Sequence, residues 1–150
     1  CALVAEDEAG VAGYIIGAAD TAAFEAKLER KWRPRLRNEY ADPEGSPPEW
    51  TPDQRLAYQI HHPRPLRPAL LARYPAHLHI DLLPRLQGRG MGRRMMDAWL
   101  ALAASKGACG AHLECSAANA RALRFYRADP RLTEEAEWSN RHTRLFATTL

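Results

Sequence analysis

The chain has 150 residues, 46% of them hydrophobic and 26% charged, with a formal net charge of +3. These values predict one globular domain with its own core, and the small positive charge does not by itself indicate nucleic-acid binding. No apolar run approaches the roughly 18 to 20 residues of a membrane span. Three cysteines are too few, and odd in number, for a disulfide framework, so we expect a reducing, cytoplasmic setting.

The first forty residues predict a β-hairpin followed by a helix. Two apolar runs, residues 2–5 and 11–18, flank the turn-forming segment EDEAG. Thr21 is a candidate helix N-cap, and Pro34 predicts a kink or an end to that helix. Between them an apolar residue recurs at every fourth position, as expected for one helical face: Phe24, Leu28, Trp32 and Leu36.

Residues 40–73 differ in composition from the rest of the chain, because proline is dense in DPEGSPPEWTPDQ and HHPRPLRP. We interpret them as an insertion on the surface of a single domain, with little regular structure. Just before them, RKWRPRLR (residues 30–37) mixes arginine with Trp32, a pattern found in nucleic-acid binding proteins. Glu25, Glu29 and Glu39 interrupt the positive charge, which favours a solvated helix face and no nucleic-acid partner.

The segment AHLHIDLL, residues 76–83, predicts a strand. Its residues alternate, so two sets of side chains would lie on opposite faces of a sheet. The first set is Leu78, Ile80 and Leu82, and the second is His77, His79, Asp81 and Leu83.

A glycine-rich turn follows this strand and leads into an amphipathic helix. Apolar residues at helical spacing predict the helix, and Gly107 and Gly110 predict its end: Met95, Met96, Trp99, Leu100, Leu102 and Ala103. The free N–H groups and dipole of a helix N-terminus favour an anion, and Arg89, Arg93 and Arg94 add positive charge. The alternative is a tight turn without a ligand.

Three phosphate-binding patterns can be compared with this turn. The P-loop needs Gly-Lys-Ser/Thr, whereas Gly92 is followed by two arginines. The dinucleotide pattern G-x-G-x-x-G also fails, because Arg93 stands at the position of its last glycine. The pattern Q/R-x-x-G-x-G/A is matched in full by Gln87, Gly90 and Gly92.

The rest of the chain completes a mixed α/β order. AHLEC predicts a short strand, and Ser116 or Asn119 would cap the helix NARALRFYR. Residues 132–138 and 143–149 are further strand candidates. The resulting order, β-β-α-insertion-β-loop-α-β-α-β-β, indicates an α/β or α+β domain with a mixed sheet.

Two of these segments resemble the GNAT superfamily of acyl-CoA N-acyltransferases. LLPRLQGRGMGRRMM resembles the family's cofactor loop, and NARALRFYR resembles its later N-x-x-A-x-x-F/L-Y helix. YPAHLHIDLLP, with the Tyr126 helix, more specifically resembles the acetyltransferase-like C-terminal domain of animal O-GlcNAcases and its stand-alone bacterial relatives. The resemblance implies a mostly antiparallel central sheet flanked by helices, built around the strand–glycine loop–helix unit.

The resemblance also implies a binding site for acetyl-CoA. Backbone N–H groups around Leu82 and Leu83 would polarise the thioester, and those of residues 88–93 would hold the pyrophosphate. Asn119 would bond the pantetheine arm, or serve simply as an N-cap. The residues expected to bind the cofactor are Leu82, Leu83, Gln87, Gly88, Arg89, Gly90, Met91, Gly92, Arg93, Asn119, Phe125 and Tyr126.

The predicted catalytic residues are Tyr126, Asp81 and His79. Tyr126 matches the family position that protonates the leaving thiolate, although it could equally be a buried aromatic anchor. Asp81 is our first candidate for the base, His79 the second and Glu114 a weaker third; Asp81 could instead be a paired structural carboxylate. HLHID also invites a zinc interpretation, but Leu82 stands where a further histidine would be expected, and we predict no metal.

We therefore expect an acetyl-CoA-dependent N-acetyltransferase that acts on an unidentified amine. The alternative is a pseudo-acetyltransferase that binds coenzyme A or a protein partner without significant turnover. The family usually begins with a strand and two helices, and we expect this sequence to start after them. ADPRL replaces the usual Gly-Phe after the tyrosine helix. Strand edges exposed by such a missing segment would favour a homodimer.

Overall fold

A computed structural model describes residues 1–150, which form two compact units. One unit comprises Cys1–Thr21 and Pro68–Leu150, and the other comprises Ala22–Arg67. None of the helices combines the length and the apolar content that a bilayer span requires.

The first unit contains a six-stranded sheet in the order β1-β2-β3-β4-β6-β5. Neighbouring strands are antiparallel except for the parallel pair β3–β4, as expected for a mixed and mostly antiparallel sheet. The strands are β1 Ala2–Asp7, β2 Gly10–Ala18, β3 Ala76–Leu82, β4 Gly110–Ser116, β5 Thr133–Glu134 and β6 Thr143–Thr149. The helices of the chain are α1 Thr21–Lys31, α2 Arg33–Glu39, α3 Pro52–His61, α4 Pro68–Arg73, α5 Met91–Ser105 and α6 Ala120–Arg127.

The main core lies between the sheet and helix α5. Ile15 of β2 and Trp99 of α5 are both 0% exposed, and Leu78 of β3 belongs to the same cluster. A Cβ at Gly17 would lie 2.0 Å from the His77 carbonyl oxygen and 2.5 Å from the Trp99 ring. Glycine is therefore required there, because any side chain would prevent β2, β3 and α5 from packing together.

Several predicted elements are confirmed. The hairpin forms as β1 and β2, α1 follows it, and Pro34 stands in the first turn of α2, where proline is tolerated. Thr21, however, is already helical, and its hydroxyl donates to the Pro75 carbonyl oxygen (2.6 Å). The glycine turn leads into α5 and the last strand is β6, both as predicted.

The expectation of little regular structure in residues 40–73 is wrong, because that stretch contains α3 and α4. Thr51 and Gln54 form a capping box with Pro52 in the first turn, so the sequence WTPDQ starts α3 rather than extending a loop. In the second unit, Arg33 pairs with Glu25 (2.5 Å). Arg37 likewise pairs with Glu29, so acidic partners hold these arginines on the helical surface.

The strand predicted at residues 132–138 is much shorter than expected. Only Thr133–Glu134 pairs with β6, and a 3-10 turn follows at Ala136–Trp138. This turn places Trp138 against the buried pair Tyr74 and Leu145, with its ring 6.3 Å from that of Tyr74. Packing of the tryptophan thus ends the strand early.

Candidate active site

Strands β3 and β4 part soon after they begin. They pair at Ala76–Ala111 and His77–His112, whereas β2 continues to pair with β3 as far as Leu82. Over its second half, β3 therefore has no strand partner on the edge that faces β4. A cleft of about 510 Å³ opens here, between the end of β3, the glycine loop and α6. Its lining residues are Ile80, Asp81, Leu82, Gln87, Gly88, Gly90, Gly92, Arg93, Asn119, Arg121, Ala122, Arg124, Phe125 and Tyr126.

The alternation of β3 decides which main-chain groups face this cleft. The Leu83 N–H donates to the Ala12 carbonyl oxygen (2.8 Å), so Leu83 directs its amide towards β2. Because successive residues of a strand direct their amides to opposite edges, Ile80 and Leu82 direct theirs towards the cleft. Consistent with this, the Leu82 carbonyl oxygen accepts a hydrogen bond from Gln87 Nε2 at 2.5 Å. Of the two residues whose N–H groups were predicted to polarise a carbonyl, Leu82 directs its N–H towards the cleft and Leu83 does not. Ile80, which was not predicted, directs its N–H towards the cleft as well.

The glycine loop presents the N-terminus of α5. Gly88 and Gly90 have φ values of +74° and +77°, a left-handed conformation that glycine adopts without strain. Gly90 is the N-cap, and its carbonyl oxygen accepts from the Arg94 N–H (3.1 Å). The three preceding N–H groups, of residues 91–93, lie in the first turn and have no acceptor within the helix. With the helix dipole, they form an anion-binding end of the cleft.

Gly92 allows α5 and α6 to approach each other at the cleft. A Cβ at this position would lie 3.1 Å from two atoms of the Phe125 ring and 3.5 Å from the Leu82 side chain. The Asn119 side chain accepts a hydrogen bond from the Ala122 N–H at 3.0 Å, so Asn119, and not Ser116, caps α6. Asn119 therefore combines the predicted capping role with a place in the cleft wall.

The polar groups of the cleft fit a ligand such as acetyl-CoA. The positive side chains of Arg93, Arg121 and Arg124 line the same cleft as the helix N-terminus, which suits phosphate groups. Gln87 Oε1 is buried without a hydrogen-bond partner, and a buried acceptor of this kind is costly unless a donor reaches it. An amide or hydroxyl donor, as the pantetheine arm carries, would satisfy it.

Tyr126 lies at the inner wall of the cleft. It is 7% exposed, and its ring packs against Phe125 and Phe146 at centroid distances of 5.2 and 5.3 Å. Burial raises the pKa of Tyr126 to about 12, because a phenolate would lose hydration there. The phenol thus stays protonated at neutral pH and can donate a proton, while the same ring also anchors α6.

Asp81 belongs to a hydrogen-bonded group of three side chains on the surface of β2 and β3. The Tyr14 hydroxyl donates to Asp81 Oδ2 (2.8 Å), and His79 Nε2 lies 2.9 Å from the same oxygen. The Tyr14 and His79 rings stack at 6.0 Å. Hydrogen bonds from Tyr14 and then His79 hold the pKa of Asp81 below its usual value, so the carboxylate is a weak base. No group of three or more His, Cys, Asp or Glu side chains is arranged to hold a metal ion.

The structure brings most of the predicted site residues together. Five do not line the cleft: His79, Leu83, Arg89, Met91 and the third base candidate, Glu114. Five others in or beside the cleft were not predicted: Tyr14, Ile80, Arg121, Ala122 and Arg124. Arg121 and Arg124 share a helical face with Phe125, and this spacing of three and four residues could have revealed them. Tyr14 gave no such signal, because it lies 67 residues from Asp81 in sequence.

The site thus combines a parted parallel strand pair, a glycine turn at a helix N-terminus and a tyrosine-bearing helix that closes the cleft. Residues 1–129 match the family model described as Acetyltransferase (GNAT) family. The chain therefore belongs to the GNAT acetyltransferases, which confirms the resemblance seen in its sequence.

Individual relatives agree with this assignment. Protein O-GlcNAcase of Rattus norvegicus and that of Mus musculus are each 27% identical to the chain over 124 residues, or 82% of it. The match spans 13% of the length of these curated relatives. The crystal structure of SsHAT superposes with a TM-score of 0.84 and 37% identity, over 99% of this chain and 71% of that one. Ard1 from Thermoplasma volcanium shares the fold, with a TM-score of 0.53 and 16% identity over 98% of this chain and 68% of that one.

Proposed function

We propose that this chain binds acetyl-CoA in the cleft and transfers the acetyl group directly to an amine. One observation carries the proposal. The cleft has an anion-binding helix N-terminus at one end and, along β3, the N–H groups of Leu82 and Ile80. This order suits a long ligand with phosphates at one end and carbonyl groups along the rest.

The chain offers distinct groups for each part of the coenzyme. Main-chain N–H groups of residues 91–93, with the Arg93 side chain, would hold the pyrophosphate. The Leu82 N–H and Gln87 Oε1 would bond the pantetheine arm. The Ile80 N–H lies deeper, towards the junction of β3 and β4, and would polarise the thioester carbonyl and stabilise negative charge on its oxygen.

The reaction needs one proton acceptor and one proton donor. Bound acetyl-CoA supplies a thioester whose carbonyl carbon bonds to the amine nitrogen as its bond to sulfur breaks. His79 is better suited than Asp81 to take the amine proton, because Asp81 already accepts two hydrogen bonds. With Nε2 donating to Asp81, His79 keeps Nδ1 as the basic nitrogen. Tyr126 gives its proton to the departing thiolate and regains one from solvent.

Two linked measurements distinguish acetyl transfer from the alternative, in which the chain binds coenzyme A without turnover. Calorimetric titration with acetyl-CoA tests the cleft, and release of free thiol in the presence of a panel of amines tests transfer. Binding with amine-dependent thiol release is the result that we expect. Binding without release would indicate a pseudo-acetyltransferase, and absence of binding would refute both. A cytoplasmic location and a homodimer stay predictions.

A further inference from the structure

Asp129 is the only charged side chain among the buried residues, with 4% of its surface exposed. It belongs to ADPRL, directly after α6, and its N–H donates to the Tyr126 carbonyl oxygen at 3.1 Å. Three groups of Arg131 donate to its carboxylate: the main-chain N–H (3.1 Å), Nε (3.0 Å) and Nη2 (2.7 Å). The side-chain bonds from Arg131 are the main cause of a pKa of Asp129 below its usual value, so the carboxylate is ionised at neutral pH.

Two arginines and two aspartates form a closed charged group around this carboxylate. Arg93 Nη2 lies 3.8 Å from Asp129 Oδ1. Arg131 Nη2 lies 2.7 Å from Asp97 Oδ1 and 2.7 Å from Asp129 Oδ2. Arg93 and Asp97 are four residues apart on α5 and therefore lie on one face of that helix. We call Arg93, Asp97, Asp129 and Arg131 the charged quartet, and it joins the end of α6 to the first turns of α5.

The charged quartet leaves the Arg93 guanidinium able to bind a ligand. Arg131 supplies the hydrogen bonds to Asp129, and the contact between Arg93 and Asp129 is an ion pair longer than a hydrogen bond. The N–H donors of Arg93 therefore remain available in the cleft, which this residue lines. Because the Arg93 side chain is 45% exposed, it would lose rotamer freedom on binding a ligand unless a neighbour already restrained it. Asp129 is the buried charge that restrains it.

We propose that Asp129 is a positioning residue for the coenzyme, which holds the Arg93 guanidinium where the diphosphate of acetyl-CoA binds at the N-terminus of α5. The inference rests on the proposed function and adds a residue to the same site. Restraint of Arg93 and direct electrostatics oppose each other here, since a carboxylate near phosphate groups repels them. The two effects therefore predict opposite changes in affinity when the charge of Asp129 is removed.

Asp129→Asn separates these effects by the sign of the change. Asparagine keeps the shape of the side chain and one acceptor oxygen for Arg131, but it loses the charge that attracts Arg93. We expect the Kd for acetyl-CoA, measured by calorimetry, to rise about three- to tenfold, within the range found for coupled neighbouring residues. An unchanged Kd would indicate a purely structural carboxylate, and a lower Kd would indicate simple repulsion. Either result would overturn the proposal.

Asp97→Asn is the matched control within the charged quartet. It removes the same charge from the same arginine at the same distance of 2.7 Å, but Asp97 forms no ion pair with Arg93. The Kd of Asp97→Asn should stay within about twofold of that of the parent protein. Thermal unfolding of both variants measures how far each loss weakens the connection between α5 and α6. Equal rises in Kd for the two variants would overturn the proposal, because they would show that only the connection matters.

Arg93 supplies a second test that does not depend on the stability of an Asp129 variant. Arg93→Lys keeps the positive charge but lacks the planar guanidinium, so it should weaken acetyl-CoA binding about as much as Asp129→Asn. The double variant should bind no more weakly than either single variant, and additive losses would overturn the proposal. Failure of the parent protein to bind acetyl-CoA would refute the proposed function and this inference with it. Contrary results in a parent protein that binds would refute this inference alone.

Discussion

The conformation of Gly90 gives the sharpest test of the anion site. At φ +77° an alanine would be strained, yet its Cβ would meet no atom within 4 Å, so strain is the whole of the expected effect. Placing an L-residue in this region costs roughly 1–2 kcal/mol. If acetyl-CoA binding needs the left-handed N-cap, Gly90→Ala should lose up to this strain energy from its binding free energy. The Kd for acetyl-CoA should then rise by up to about 5- to 30-fold.

Gly107 provides a matched control, because it has φ +88° and open space around its Cβ at the other end of α5. Gly107→Ala should lose a similar amount of stability, about 1–2 kcal/mol in denaturant unfolding, and keep its affinity for acetyl-CoA. Calorimetry measures both dissociation constants. If Gly90→Ala is destabilised like Gly107→Ala but binds acetyl-CoA like the parent protein, the cleft does not hold phosphate at this helix.

Three further changes probe other parts of the site. Tyr126→Phe keeps the buried ring and should slow amine-dependent thiol release roughly 100-fold, as expected for a lost general acid, with acetyl-CoA binding retained; an unchanged rate would exclude Tyr126 as the donor. Tyr14→Phe removes the main hydrogen bond that lowers the pKa of Asp81, so carboxyl NMR titration should show that pKa rising; an unmoved pKa would contradict the hydrogen bond. Gly92→Ala should gain about 0.5–1 kcal/mol of helix propensity but displace the Phe125 ring that lines the cleft. We therefore expect a melting temperature near that of the parent protein together with weaker coenzyme binding, and unchanged binding would show that the Phe125 contact is unimportant.

The parts of the fold that could be predicted from the sequence are those with a local signal. A period of two in residues 76–82 changes to a helical period after Gly90, and this change marks the β3–loop–α5 unit without any tertiary information. The glycine pattern likewise identified the loop that lines the cleft. In the insertion, proline density concealed α3, although Thr51 and Gln54 spell a capping box that marks its start.

Tyr14 and Ile80 escaped prediction because their places in the site depend on strand register. Whether Leu82 or Leu83 faces the cleft is decided by the pairing of Leu83 with Ala12, across 71 residues of chain. Tyr14 reaches Asp81 only because the two are cross-strand partners in β2 and β3. Sequence alone named Asp81 as the leading base, whereas the hydrogen bonds that Asp81 accepts from Tyr14 and His79 make it a weaker base and lead us to propose His79 for that role.

Amide NMR during a titration with acetyl-CoA tests the central claim most directly. We predict that the amide resonances of Met91, Gly92 and Arg93 shift strongly and saturably, together with those of Ile80 and Leu82, while that of Gly107 stays in place. Saturable binding that leaves the first turn of α5 and the second half of β3 unperturbed would contradict the account.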